Sequence, residues 1–273
     1  MAARVIAGST PTEASHSPTR RVTDADLNES LRDGWRDFME MRGDIIFLAL
    51  LYPVIGIVAA IATLGGPLLP LFLPIAAGVG LLGPVVAVGF YEMARRREMG
   101  LHANWPHFLD VRKRPSFDEI AAVSGLLLAI FGLWLFAAGA LYVALFGWTQ
   151  PASAAAFLTE VFTTERGWAL IALGSLVGVG FAALVLAVSV VSMPMLVDCD
   201  VSASDAVRLS IRAARENPAM VLRWGIIVAS LLVAGSIPLF IGLAVVLPWL
   251  GYATWHLYTR LIDRSAIPTR RSD

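Results

Sequence analysis

The sequence predicts an all-α, polytopic membrane protein, and three observations carry that prediction. Of 273 residues, 57% are hydrophobic and 15% charged, and the mean hydropathy of +0.71 is far to the apolar side for a water-soluble chain of this length. Six stretches are long and apolar enough to cross a hydrocarbon core of roughly 30 Å, which takes about 20 helical residues. The basic residues, finally, gather in alternate loops.

Residues 1–22 contain no apolar run of seven or more, so they lack a secretory signal and are expected to form a disordered tail. Residues 23–264 read as one polytopic domain and 265–273 as a short second tail. Thr23 and Asp26 resemble a capping box that opens an amphipathic helix. Leu27, Leu31, Trp35, Phe38 and Met41 form its apolar stripe, while Glu29, Arg32, Arg36 and Glu40 fall elsewhere, so it is expected to lie in the membrane interface. Span one follows at Ile45–Leu64, then the turn Gly65-Gly66-Pro67, then span two at Leu68–Tyr91. A basic loop leads to a second interfacial segment, Trp105 to Arg114, with Phe108, Leu109 and Val111 on its apolar side, and to span three at Ile120–Phe146. Trp148 and Trp168 flank the next loop as interfacial anchors, with span four at Trp168–Met193. Ser202 and Asp205 start a third amphipathic helix and Asn217-Pro218 stops it. Val207, Ile211 and Ala214 make one of its stripes, and Arg208, Arg212 and Arg215 another. The apolar run from Met220 to Tyr258 would be on the order of 58 Å long as one helix, nearly twice the core thickness. It must fold back at Gly235-Ser236-Ile237-Pro238, which gives span five at Met220–Ile237 and span six at Leu239–Tyr258.

Orientation follows from the arginines. All basic residues except Arg166 fall in the N-terminal segment, the second and fourth loops, the tail, or at Arg223 just inside span five. Both termini are therefore expected in the cytoplasm, in the inner membrane of a bacterium. Trp35-x-x-Phe38-Met39-Glu40-Met41-Arg42 and Trp105-x-x-Phe108-Leu109-Asp110-Val111-Arg112 agree in residue type. They suggest three copies of one unit, an interfacial helix plus a transmembrane hairpin, which should superpose about an axis near the membrane normal.

Chemistry is sparse. With 21 basic and 21 acidic residues, no overall field gathers nucleic acid. Cys199 lies between two aspartates and is expected to be an inert, protonated thiol. Arg223 and His256 fall within about a turn of the cytoplasmic boundary and are expected to snorkel to water. Otherwise the spans offer hydroxyls such as Ser124, Ser175, Ser189 and Ser192, which argues against a proton- or sodium-coupled transporter. One span histidine is too few for a haem or copper oxidase subunit. His102 and His107 are five apart, off the spacing for two ligands on one helical face, and capping and ion pairing account for Asp198, Asp200 and Asp205. Neither a Ser-His-Asp set nor a phosphate loop is present, so no enzyme, cofactor or metal is expected. Gly174-x-x-x-Gly178 and the Gly78, Gly80 pair are candidates for close helix approach, within the chain or in a homo-oligomer. Arg95, Arg96, Arg97, Arg112, Lys113 and Arg114, with Arg208, Arg212 and Arg215, serve either as topology signals or as contacts for anionic phospholipid headgroups.

Four stretches carry a family resemblance: LRDGWRDFMEMRGDIIFLALLYPVIG, LLGPVVAVGFYEMARRRE, VVSMPMLVDCDVSASDAVRLSIRAARENP and VVLPWLGYATWHLYTRL. Over nearly everything after residue 23 the chain resembles the bacterial integral membrane family DUF2189, a domain of unknown function. The resemblance implies topology and a bacterial source and supplies no catalytic residues. Two function classes are expected: a non-enzymatic component that organises lipid or a membrane protein complex, or a permease or passive carrier for an uncharged or amphipathic solute.

Overall fold

The computed structural model describes residues 18–49, 68–72, 74–75, 83–238 and 240–267, with Val54, Ile57 and Ile61. Among these residues the fold is all-helical, with one isolated β-bridge between Thr19 and Ile262. Most of span one, the turn Gly65-Gly66-Pro67 and the middle of span two, with Gly78 and Gly80, lie outside the described residues.

Helix α1 (Asp24–Ala49) starts at the expected box: the Thr23 amide donates to Asp26 Oδ2 at 2.7 Å and the Asp26 amide to Thr23 Oγ1 at 3.4 Å. It continues without a break to Ala49, so the segment expected to lie flat is the first half of a longer helix. Its stripe, with Leu27, Phe38 and Met41 buried, packs on α9 (Leu243–Leu261) instead of lipid. Gly34 permits this: a Cβ there would fall 2.5 Å from the Ala253 amide nitrogen.

Helix α2 (Gly83–Glu98) leads into the segment Trp105–Lys113, which is a 3-10 helix and not the amphipathic α-helix expected. The His107 ring accepts from the Asn104 amide at 3.1 Å and so caps it. Phe108 seals it onto α2, meeting Phe90 edge-on with centroids 5.0 Å apart.

Three helical stretches are long and apolar enough to cross a membrane: α3 (Phe117–Phe146), α5 (Glu165–Ser189) with its continuation α6 (Ser192–Asp198), and α8 (Pro218–Ser236). Only 28%, 11% and 17% of their most apolar windows are buried, so their leucines and valines look outward, as lipid-facing helices require. A short helix, α4 (Ala154–Thr163), fills the loop between α3 and α5; Ser153 caps it, and Trp148 and Trp168 stand exposed on either side. Helix α7 (Ala203–Glu216) opens on Ser202, whose Oγ accepts from the Asp205 amide at 3.1 Å, and Glu119 of α3 accepts from the Ala203 amide at 2.8 Å.

The chain reverses at residues 237–242, as the proline predicts, and Gly235 and Gly242 let α8 and α9 meet backbone to backbone. Helix α9 is long enough to cross but rich in Trp, Tyr, His and Arg, because most of it faces protein. Tyr252, Trp255, Leu257, Tyr258 and Leu261 are completely buried against Phe90 and Met93 of α2 and Met193, Leu196 and Val197 of α6. The packed core therefore sits at one end of the molecule, where the charged helix ends converge. We call this the polar end. The two ends of the described chain also meet there: the Arg20 amide donates to the Leu261 carbonyl and the Asp263 amide to the Pro18 carbonyl, both at 2.7 Å. Residues 18–22, expected to belong to a disordered tail, are tied down by these bonds and by Asn217.

Candidate functional site

The polar end holds an ion-pair network built from the last turns of α2. Glu92, Arg95 and Arg96 share a helical face by their spacing of three and four. Glu92 is gripped twice by Arg95, at 2.9 and 3.0 Å, and Arg96 lies at 3.9 Å, although only 2% of the Glu92 side chain is exposed. The Glu92 hydrogen bond raises Arg95's pKa against the opposing pull of burial. Arg96 continues to Asp110 at 3.4 Å and to the His102 carbonyl at 2.9 Å, which pins the loop to the helix. Arg97 turns the other way, to Glu40 and to Asp37 at 3.1 Å.

Asp37 is the second hub. Its side chain, 5% exposed, lies between Arg97 and His256 Nε2, the latter at 2.8 Å. His256 thus faces inward to a carboxylate and does not snorkel as the sequence suggested. One turn on, Arg260 reaches Asp33 at 2.6 Å and Glu29 at 3.6 Å. Burial pushes the Asp33 pKa up, but the bond from Arg260 and the charges of His256, Arg260 and Arg36 outweigh it, and the net direction is down.

The third hub is Asp198, which accepts from the Tyr258 hydroxyl at 3.0 Å and lies 3.5 Å from Arg264. Arg264 also reaches Glu98, which accepts from the Trp255 indole at 3.0 Å. Arg114 donates to the Asp198 carbonyl at 3.1 Å, while its Nε is buried without a partner. Burial, and then the neighbouring Arg95 charge, lower its pKa. Cys199 follows Asp198 directly; burial first and the Asp198 charge second push its thiol up to about 11.

The nine basic residues singled out by sequence therefore divide. Arg95, Arg96 and Arg97 are enclosed in the network and Arg114 is half-buried against a carbonyl. Lys113 is exposed but reaches Asp110 at 2.6 Å, and Arg208 is exposed and pairs with Asp205 at 3.0 Å. Arg112, Arg212 and Arg215 are exposed with no ion pair among the described residues. Arg223, read as snorkelling, pairs with Asp24.

Chemically, the arrangement binds helices to one another: Asp37 and Asp198 are matched by cations from other elements, while Glu92 pairs within α2 and Arg96 carries the link on to Asp110. Among the described residues no cluster of three or more His, Cys, Asp or Glu could hold a metal ion. Sequence reasoning missed the hubs because it treated the arginines as topology markers. A signal was available: Asp33 and Asp37 on α1 are four apart, as are His256 and Arg260 on α9, two acidic positions set to meet two basic ones.

No similar curated protein or solved structure is found. Residues 71–198, a narrower stretch than the resemblance read from residue 23 onward, match the family described as predicted integral membrane protein (DUF2189), the family that the sequence motifs resemble.

Proposed function

We propose that the protein is a non-enzymatic, multi-pass component of a bacterial inner membrane that holds anionic lipid headgroups or a partner complex on its basic face. The observation that carries this reading is the division of the basic residues, since the inward set is held within the network while Arg112, Arg212 and Arg215 face outward with no ion pair among the described residues. On α7, Ala206, Ser210, Ala213 and Asn217 turn to the protein, and Arg208, Arg212 and Arg215, at steps of four and three, line the opposite side. Near an anionic surface each such charge contributes about 1 kcal/mol.

We further propose six crossings with both termini in the cytoplasm. Helix α1 leaves the polar end and α2 returns to it, as a hairpin of spans one and two requires, and four passes follow from α3 to α9. The threefold repeat draws support from its last unit, α7 with the α8–α9 hairpin; the corresponding segments before spans one and three differ from α7 in form.

The test compares wild type with an Arg208→Glu, Arg212→Glu, Arg215→Glu variant, each purified from native membrane, with bound lipids and proteins identified by mass spectrometry. We expect anionic phospholipid or a reproducible partner on wild type and at least a tenfold loss in the variant. Identical lipid and protein profiles would overturn the reading, and a co-purified uncharged solute would favour a carrier.

A further inference from the structure

Beside the network, between α2, α5, α8 and α9, lies a partly open cavity of about 70 Å³. None of its lining residues is charged. Its polarity is graded. Toward the polar end it meets Tyr91, Ser189 and Thr254; away from that end its walls are hydrocarbon, with Leu232 and Leu247. Ser189 is 2% exposed and lines the space, and its hydroxyl is not held by any other side chain there, so a polar group opens onto the cavity at that end. A net hydrogen bond contributes about 0.5–1.5 kcal/mol, so an occupant able to accept or donate one there is favoured over a purely hydrocarbon one.

We propose that this cavity is a binding site for an uncharged amphiphile, whose hydroxyl or carbonyl meets Ser189 and whose hydrocarbon points along α8 and α9 away from the polar end. The orientation is that of a lipid in the adjoining leaflet, polar group toward the polar end and chain toward the interior of the bilayer. Charged molecules are disfavoured, because burial without a counter-charge is costly and the walls offer none. Size sets the other limit: one water needs about 10–15 Å³ of such space, so the cavity takes a segment of roughly five heavy atoms. The outward faces of α5 and α8, which carry exposed Leu176, Leu184, Ile226 and Val233, place the source of such a molecule in the surrounding lipid. This inference stands apart from the role proposed for the basic face.

The experiment uses the full chain in lipid nanodiscs and three fluorine-labelled probes of matched length: 4-fluoro-1-butanol, 1-fluorobutane and 4-fluorobutanoate. Fluorine NMR reads saturable binding after subtraction of empty nanodiscs. The alcohol is expected to bind saturably and the alkane and carboxylate to show partitioning alone. Ser189→Ala, a change too small to threaten folding, should weaken the alcohol about tenfold, and Ala87→Leu, which fills the cavity, should abolish its binding. The proposal fails if the alcohol shows no saturable binding, if the alkane binds as well, or if Ser189→Ala leaves the affinity unchanged.

Discussion

Glu92 holds two guanidinium groups in a place that water barely reaches, and its removal would leave Arg95 without its carboxylate, while Arg96 keeps Asp110. Breaking a buried pair from one side costs about 3–5 kcal/mol, whereas an exposed pair is worth at most about 1 kcal/mol. Glu92→Gln is therefore expected to lose several kcal/mol in an SDS unfolding titration, and Arg208→Gln, which removes an exposed partner of Asp205, almost nothing. Equal losses would refute the ranking of the two pairs. At Cys199 the thiol rises from 9.0 to about 11, through burial and then Asp198. Its thiolate at pH 7 is thus scarcer by about a hundredfold than at the ordinary value. Maleimide labelling of the folded protein should be slower by at least that factor than labelling of the SDS-unfolded chain, and comparable rates would contradict it. The direction of this shift was legible in part, from Asp198, but its first cause, burial, was not, and Asp200 has no share in it. Asp37 and His256 were not legible, because each acquires its meaning from a residue more than 200 positions away.

For the elements, helix starts and stops were written locally and were readable: Thr23 with Asp26, Ser202 with Asp205, Asn217-Pro218, and the reversal before α9. Close approach was not. The glycines that suggested it, Gly174 and Gly178, have ordinary contacts at 3.8 and 4.0 Å, whereas tight positions include Gly34, Gly89, Gly242 and Gly251. A Cβ at Gly34 would collide with the backbone of Ala253, which cannot yield without separating α1 from α9. Gly34→Ala should cost about 1–3 kcal/mol by overpacking. Gly125→Ala, in α3 with open space around it, should be neutral or stabilise by about 0.5–1 kcal/mol through helix propensity. Thermal unfolding of the two variants in one detergent decides between them, and a stable Gly34→Ala would show that α1 is not packed as described.

At the scale of the whole molecule, Asn217 links the terminal segment to the helices: it accepts from the Val22 amide at 3.1 Å and donates to the Arg20 carbonyl at 3.2 Å while almost fully buried. Asn217→Ala should free residues 18–23, seen as faster proteolytic cleavage there with the helical core intact, and an unchanged cleavage rate would refute the link. By itself the sequence determined the helical membrane class, the spans from α3 to α8 and the fold-back before α9, because hydrocarbon length, proline and capping residues act over a turn or two of chain. Only the tertiary structure decided that the core lies at the polar end, that α1 and α9 are partners, and which arginines face inward. Those outcomes depend on pairing between helices distant in sequence, where a buried charge is stable only beside its counter-charge and no local pattern says which face will meet which.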